Sequence, residues 1–227
     1  MTTALFTGDD CLPRCHWCAA TPSYVAYHYH DWGRPKRSER ELFETLSLEA
    51  FQSGLSWLTI LNKREGFRRA FAQFDADAVA RFGPRDVERL LQDAGIVRHR
   101  GKIEATINNA QRLVELRAEA GSFAAFVEGY RPPAEALSGR SECTEAKQLS
   151  KALKARSWRI VGPTTVYAFM QAGGLGDDHA VGCRWRGRYT SRQRIKTGGA
   201  AQPDGVRTGR RASAPRSAAR ECWPPTR

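Results

Sequence analysis

Between Leu42 and Ala172 the apolar residues of this chain recur at intervals of three and four, and hardly anywhere at intervals of two. That period lines up side chains on one face of an α-helix and excludes a half-buried sheet as the main architecture. Leu42, Phe43, Leu46 and Ala50 form one stripe, on a helix predicted from Ser38 to about Gly54. Short helical segments are expected around residues 57–61, 66–74 and 75–82, the last with Asp75 or Asp77 as cap. The pattern is clearest from Pro84 to Leu116. Pro84 suits a first helical turn, and Val87, Leu90, Leu91 and Ala94 make an apolar face. Gly95 breaks this helix, and a second starts near His99 or Arg100, with Ile103, Ile107 and Ala110 on one side. Phe123, Phe126 and Val127 mark a further helical stretch, ended by Pro132-Pro133. Two more helices are expected, from near Glu142 through Leu153 and from Pro163 to Ala172 before Gly173-Gly174. The stretch before Arg37 is rich in aromatics and turns and shows no clean period. The expectation is an all-α core in one domain, which 227 residues can furnish.

Net charge is +12, which invites a nucleic-acid reading. Its distribution removes most of that argument. Residues 184–227 hold twelve basic and two acidic side chains, a net of +10, so the rest of the chain carries only +2. Any grip on a polyanion must come from a local patch. The same terminal stretch is rich in Arg, Ala, Gly, Pro and Ser and poor in aliphatics, so it cannot bury enough surface to order itself. The expected organisation is a flexible extension over 1–13, a folded domain over 14–185 and a disordered basic tail over 186–227. No apolar run approaches the roughly 20 residues of a membrane span. No signal-peptide pattern opens the chain, so a cytoplasmic protein is expected.

Six cysteines in such a chain read as free thiols or metal ligands. Cys15 and His28 lie near one end of the predicted domain, and His179 and Cys183 near the other. A spacing of four places the latter two on one face of a helical turn. Together they make a Cys2His2 set suited to structural zinc, closing a loop of about 150 residues. Reduced thiols and surface imidazoles are the competing reading, and Cys18 competes with Cys15.

Two further features carry chemistry. The segment Ala94-Gly95-Ile96-Val97-Arg98 joins two helices, and backbone N–H groups at the start of the second suit a phosphate. Arg98, His99, Arg100 and Lys102 add positive charge there. The plain alternative is an ordinary packing unit with a solvated basic end. Glu49 falls three residues after Leu46 and seven after Leu42, on the apolar stripe, where a bare carboxylate is costly. Tyr24, Tyr27, Trp17 and Trp57 are candidates to surround it, and aromatics plus one acid suit a flat cationic ring. The alternative is a hydrogen-bonded core acid with aromatic filler.

The strings RCHW (14–17), PSYVAYHYHDWG (22–33), ELFETLSLEAFQSGLSWLTIL (41–61), VERLLQDAGIVRHRGKIEATINNA (87–110) and SKALKARSWRIVGPTTVYAFMQAGGLGDDHAVGC (150–183) resemble the DNA-3-methyladenine glycosylase I family, of the helix-hairpin-helix superfamily. The resemblance covers roughly residues 14–183. It implies a helix-hairpin-helix glycosylase fold whose N- and C-terminal segments are joined by one zinc ion on Cys15, His28, His179 and Cys183. It implies that Glu49 hydrogen-bonds the damaged adenine, with Tyr24 and Tyr27 beside it and Trp57 stacked on the ring. Gly54 and Leu55 would enter the DNA gap, and Gly95, Val97, Arg98, Arg100 and Lys102 of the hairpin would hold the backbone.

The implied activity is removal of 3-methyladenine from double-stranded DNA by base flipping, leaving an abasic site. N3-methylation makes adenine a cationic leaving group, so Glu49 is expected to act in recognition and electrostatics and not as a nucleophile. No lysine is placed to form a Schiff base, so no strand cleavage is expected. A monomer is expected. The rival readings are a non-catalytic helix-hairpin-helix DNA-binding protein and an impaired product with an aberrant C-terminus.

Overall fold

The computed structural model describes residues 5–133 and 140–189. Among them the chain forms ten α-helices and one two-stranded sheet. The strands β1 (Leu5–Thr7) and β2 (Pro13–Cys15) pair antiparallel with Leu5 opposite Cys15. A 3-10 turn (His16–Ala20) leads into α1 (Pro22–His30).

The centre is α2 (Glu39–Gln52), buried at every position from Leu42 to Phe51. It starts where Ser38 and Glu41 close a capping box, each side chain taking the other's backbone N–H, at 3.2 and 3.1 Å. In chain order α3 (Trp57–Asn62), α4 (Arg64–Ala70), α5 (Ala76–Val79) and α6 (Pro84–Gln92) come next, and of these α3 packs on α2. They are followed by α7 (Arg100–Ala120) and α8 (Phe123–Glu128). The last pair is α9 (Thr144–Ala155) and α10 (Pro163–Ala172). Phe43, Phe51, Phe67, Phe71 and Phe74 fill the space between α2 and α4, each fully buried. Burying each such ring is worth about 1.5–3 kcal/mol. Phe43, Phe169, Leu149 and Leu153 belong to the same core, and α10 packs on both α2 and α9.

Most of the expected helices are present, but the 75–82 segment is helical only over Ala76–Val79, and α6 ends at Gln92, leaving Ala94 exposed beyond it. The predicted 66–74 helix stops at Ala70, and a 3-10 turn over Ala72–Phe74 with positive φ angles swings Phe74 back into the core. Helix α1 lies in the stretch read as irregular. Residues 5–13, set apart as a flexible extension, fold back as a hairpin arm. Buried Arg14 donates to Asp10 at 2.6 Å and also contacts the Tyr29 hydroxyl, tying the arm to α1. Arg14 holds the Asp10 carboxyl down at about 2.

The C-terminal boundary also moves. Arg184 donates its N–H to the Pro13 carbonyl at 2.8 Å, and the Trp185 indole donates to the Tyr29 carbonyl at 3.3 Å. Beyond the expected boundary, Arg188 lies over the Trp185 ring and Arg34 over the Tyr189 ring. Residues 186–189 therefore pack on the domain. The remainder of the expected tail, 190–227, lies outside the described residues. No helix among the described residues is long and apolar enough to cross a membrane.

Candidate base-binding site and metal cluster

Glu49 sits in the last turn of α2, 6% exposed, at the wall of a cavity of about 240 Å³. Trp17, Tyr24, Tyr27, Trp32 and Trp57 line that cavity. Gln52, one helical turn on from Glu49, and Ala168 and Gln171 of α10 complete it. The volume is below the ~300–1,000 Å³ of sites for drug-sized ligands and suits one small ring system. The rings meet edge to face or tilted: Trp17 and Trp32 have centroids 5.1 Å apart, Trp17 and Tyr24 5.8 Å, Tyr27 and Trp57 5.3 Å. Such packing leaves little freedom to collapse into the space.

The Glu49 carboxyl has no hydrogen-bond or ion-pair partner among the described residues, and burial pushes its pKa up to about 8. Its neighbour Glu44 shows the contrast, bonded by Arg64 at 2.6 Å and Arg68 at 2.8 Å. Burial and the nearby Glu49 charge hold the Tyr27 phenol well above its ordinary value. The Trp57 indole N–H is buried and also without a partner among the described residues. An acid of this kind favours a ligand that brings a positive charge or N–H donors.

A second cavity, about 290 Å³, shares Glu49, Gln52 and Ala168 with the first and is lined further by Ser53, Gly54, Leu55, Thr164 and Thr165. This is the mouth of the site. Gly54 has φ +78°, with open space around a would-be Cβ, so the turn needs glycine for its backbone angle and not for room. Leu55 is 41% exposed. The N-terminus of α10 also opens here through Thr164 and Thr165, a feature that sequence reading left without a role.

The 94–101 hairpin is less uniform than expected. Arg98 is exposed and makes no ion pair among the described residues. Arg100 is exposed but pairs with Glu88 at 2.7 Å and Glu104 at 3.7 Å. Val97 packs on the hydrophobic core, and the Gly95 N–H donates to Asp93 at 2.7 Å. Lys102 departs most from expectation. It is buried, and its ammonium donates to the carbonyls of Phe51 at 2.8 Å and Ser53 at 2.5 Å, so it is no surface cation.

At the far side of α1 the metal-ligating candidates converge. Ligand atoms of Cys15, His28 and Cys183, all buried, lie within 4.8 Å of one another. Cys183 Sγ is 3.6 Å from His28 Nε2. A hydrogen bond from Cys15 draws the Cys183 thiol down to about 4, and the same bond holds Cys15 up. His179 stands outside that group of three, its ring centroid 5.2 Å from that of His28. It is 1% exposed, its Nδ1 is 2.7 Å from Asp177 Oδ1, and its Nε2 is buried without a partner among the described residues. Gly33, at φ +74°, lets the backbone pass so close to this imidazole that a Cβ would stand 2.6 Å from Cε1. Cys18 is buried but not in the group.

A small aromatic cavity with one buried acid that has no partner among the described residues, opening beside helix termini, has the size and chemistry to admit one flat ring. Residues 17–186 match the family pattern described as methyladenine glycosylase. DNA-3-methyladenine glycosylase 1 of Escherichia coli K12 is 47% identical over 179 residues, covering 76% of this chain and 96% of that protein. DNA-3-methyladenine glycosylase of Haemophilus influenzae Rd is 38% identical, covering 75% and 96%. A Staphylococcus aureus structure, described as showing the structural basis of 3-methyladenine recognition by 3-methyladenine DNA glycosylase I, is similar with TM-score 0.73 and 37% identity, over 76% and 96% of the two chains. The chain belongs to the methyladenine glycosylase family.

Proposed function

We propose that this chain hydrolyses the N-glycosidic bond of 3-methyladenine in alkylated double-stranded DNA, releases the base and leaves an abasic site. The observation that carries this is Glu49, buried and partnerless in an aromatic cavity sized for one base. A non-catalytic DNA-binding module would have no use for such a carboxylate, whose burial stabilises nothing by itself. The target nucleotide leaves the stack, at a cost of a few kcal/mol, and its base enters between the aromatic walls. Trp57 and Trp17 supply faces and edges for stacking. The cationic base favours the ionised form of Glu49, and the carboxylate pairs with it, so Glu49 recognises and holds the extruded base. As the glycosidic bond breaks, its electron pair goes to the base, which leaves neutral without an acid, and positive charge passes to the sugar; water bonds to the anomeric carbon and gives its proton to solvent. Among the residues lining the cavity there is no lysine, which supports a monofunctional enzyme without strand cleavage.

On the DNA side, Gly54 and Leu55 at the mouth are suited to enter the gap. Arg98, Arg100 and the start of α7, with the N-terminus of α10, offer positive charge and N–H groups to the backbone. Arg100 would exchange its glutamate partners for phosphate.

We further propose that Cys15, His28, His179 and Cys183 hold one structural zinc. The orphaned, buried Nε2 of His179 and the low pKa of Cys183 fit that reading, and Asp177 on Nδ1 is the outer partner that ligating histidines usually have. The ion would tie the two ends of the domain and take no part in the chemistry. The test of the function is release of 3-methyladenine from methylated DNA by the purified protein, followed by chromatography, with the E49Q variant in parallel.

A further inference from the structure

We propose that Lys102 is a positioning residue for base extrusion: its ammonium, held on the carbonyls of Phe51 and Ser53, sets the Gly54–Leu55 turn at the mouth of the base cavity. The inference rests on the reading of that turn as the segment that enters the DNA gap.

Lys102 lies in the first turn of α7, and its side chain reaches to the end of α2. Phe51 and Ser53 are the last-turn and C-cap residues of α2, whose carbonyls have no helical partner and carry the negative end of the helix dipole. A cation bound to two of them stiffens the chain just where it leaves the helix. The next residue, Gly54, has φ +78°, and the one after, Leu55, holds an apolar side chain 41% exposed. An exposed leucine on a slack turn would fold down onto the protein. On a held turn it stays proud of the mouth, beside Glu49 and Gln52, able to fill the gap that an extruded nucleotide leaves. Lys102 also follows Arg98 and Arg100 by four and two residues, so one side chain links the proposed backbone grip to the wedge.

A wedge matters for taking the base out of the stack and not for holding it afterwards. The experiment therefore compares binding of free 3-methyladenine with single-turnover excision from two duplexes. A methylated strand is annealed to its full complement, or to one with abasic sites opposite the target adenines, where extrusion costs less. The expected result for Lys102→Met is free-base binding within about twofold of the parent, excision from the full duplex slower by about tenfold or more, and a deficit of no more than about threefold opposite abasic sites. Lys102→Arg, which keeps a cationic donor, recovers most of the rate. Equal deficits on the two duplexes, a parallel loss of free-base binding, or no deficit at all would overturn the assignment. Should Lys102→Met not fold, Lys102→Gln takes its place under the same criteria. Leu55→Ala separates the two layers. If it lacks the dependence on the opposing strand, the wedge reading has failed; if it shows the dependence and the Lys102 variants do not, only the role of Lys102 has.

Discussion

The Trp57 indole lies 5.3 Å from the Tyr27 ring, tilted by 43°, so the two side chains, from α3 and α1, brace one wall of the base cavity. Stacking of a base on such an aromatic is worth about 1–3 kcal/mol by alanine substitution. Trp57→Ala should weaken binding of free 3-methyladenine by a corresponding factor while the far-ultraviolet circular dichroism stays unchanged. Calorimetric titration with the base checks this, and undiminished affinity would remove Trp57 from the pocket.

Glu49 should cost the protein stability in a pH-dependent way. Its folded pKa, about 8, is above its ordinary 4.5. In the pH range between those values the unfolded chain carries a charged Glu49 and the folded chain a neutral one, so the folded state binds more protons and stability falls as pH rises. The cost reaches on the order of a few kcal/mol near pH 8. Glu49→Gln, neutral in both states, should therefore melt higher than the parent at pH 8 and about level with it at pH 5. A melting-temperature difference that does not change with pH contradicts the raised pKa.

Arg98→Ala with Arg100→Ala should weaken duplex binding about equally for all sequences. Removing one cation from a phosphate reduces the slope of log affinity against log salt by about one. Arg98 is the more telling of the pair, since Arg100 already has glutamate partners. An unchanged slope would move the backbone grip elsewhere, with the α10 N-terminus next in line.

The purified protein should carry about one zinc per chain by elemental analysis. Cys15→Ser and His179→Ala should each lose it and melt lower. Chelation should lower the melting temperature of the parent and leave those variants unmoved, because metal binding and folding are coupled. A metal-free parent of equal stability would contradict the assignment.

The helical core was legible because its signals are local: the period of three and four, proline starts at Pro84 and Pro163, and Ser38 at the head of a helix. The site was only half legible. Glu49 stood out as a carboxylate on an apolar stripe, and the aromatics Tyr24, Tyr27 and Trp57 were candidates beside it. Trp32, Gln52 and Gln171 went unassigned, although Gln52 follows Glu49 by one turn and Gln171 follows Ala168 by one. Helix α1 escaped notice because its inward face is tyrosine and histidine serving a cavity and a thiol cluster, not an aliphatic stripe; Thr21 before Pro22 was the signal available. The hairpin arm escaped because its order comes from Arg14 meeting Asp10 and Tyr29, a tertiary event. Lys102 read as one more surface cation since nothing in its neighbours tells that α2 ends within its reach.

Removal of one damaged base by this cavity is measured most directly by chromatography of bases released from DNA methylated in vitro, under single-turnover conditions with protein in excess, for the full chain and for E49Q. The expected outcome is release of 3-methyladenine by the full chain, abasic sites without strand breaks, and a much slower release by E49Q that still binds duplex DNA normally. No 3-methyladenine released by folded, zinc-loaded protein, or release by E49Q at the parent rate, would contradict it.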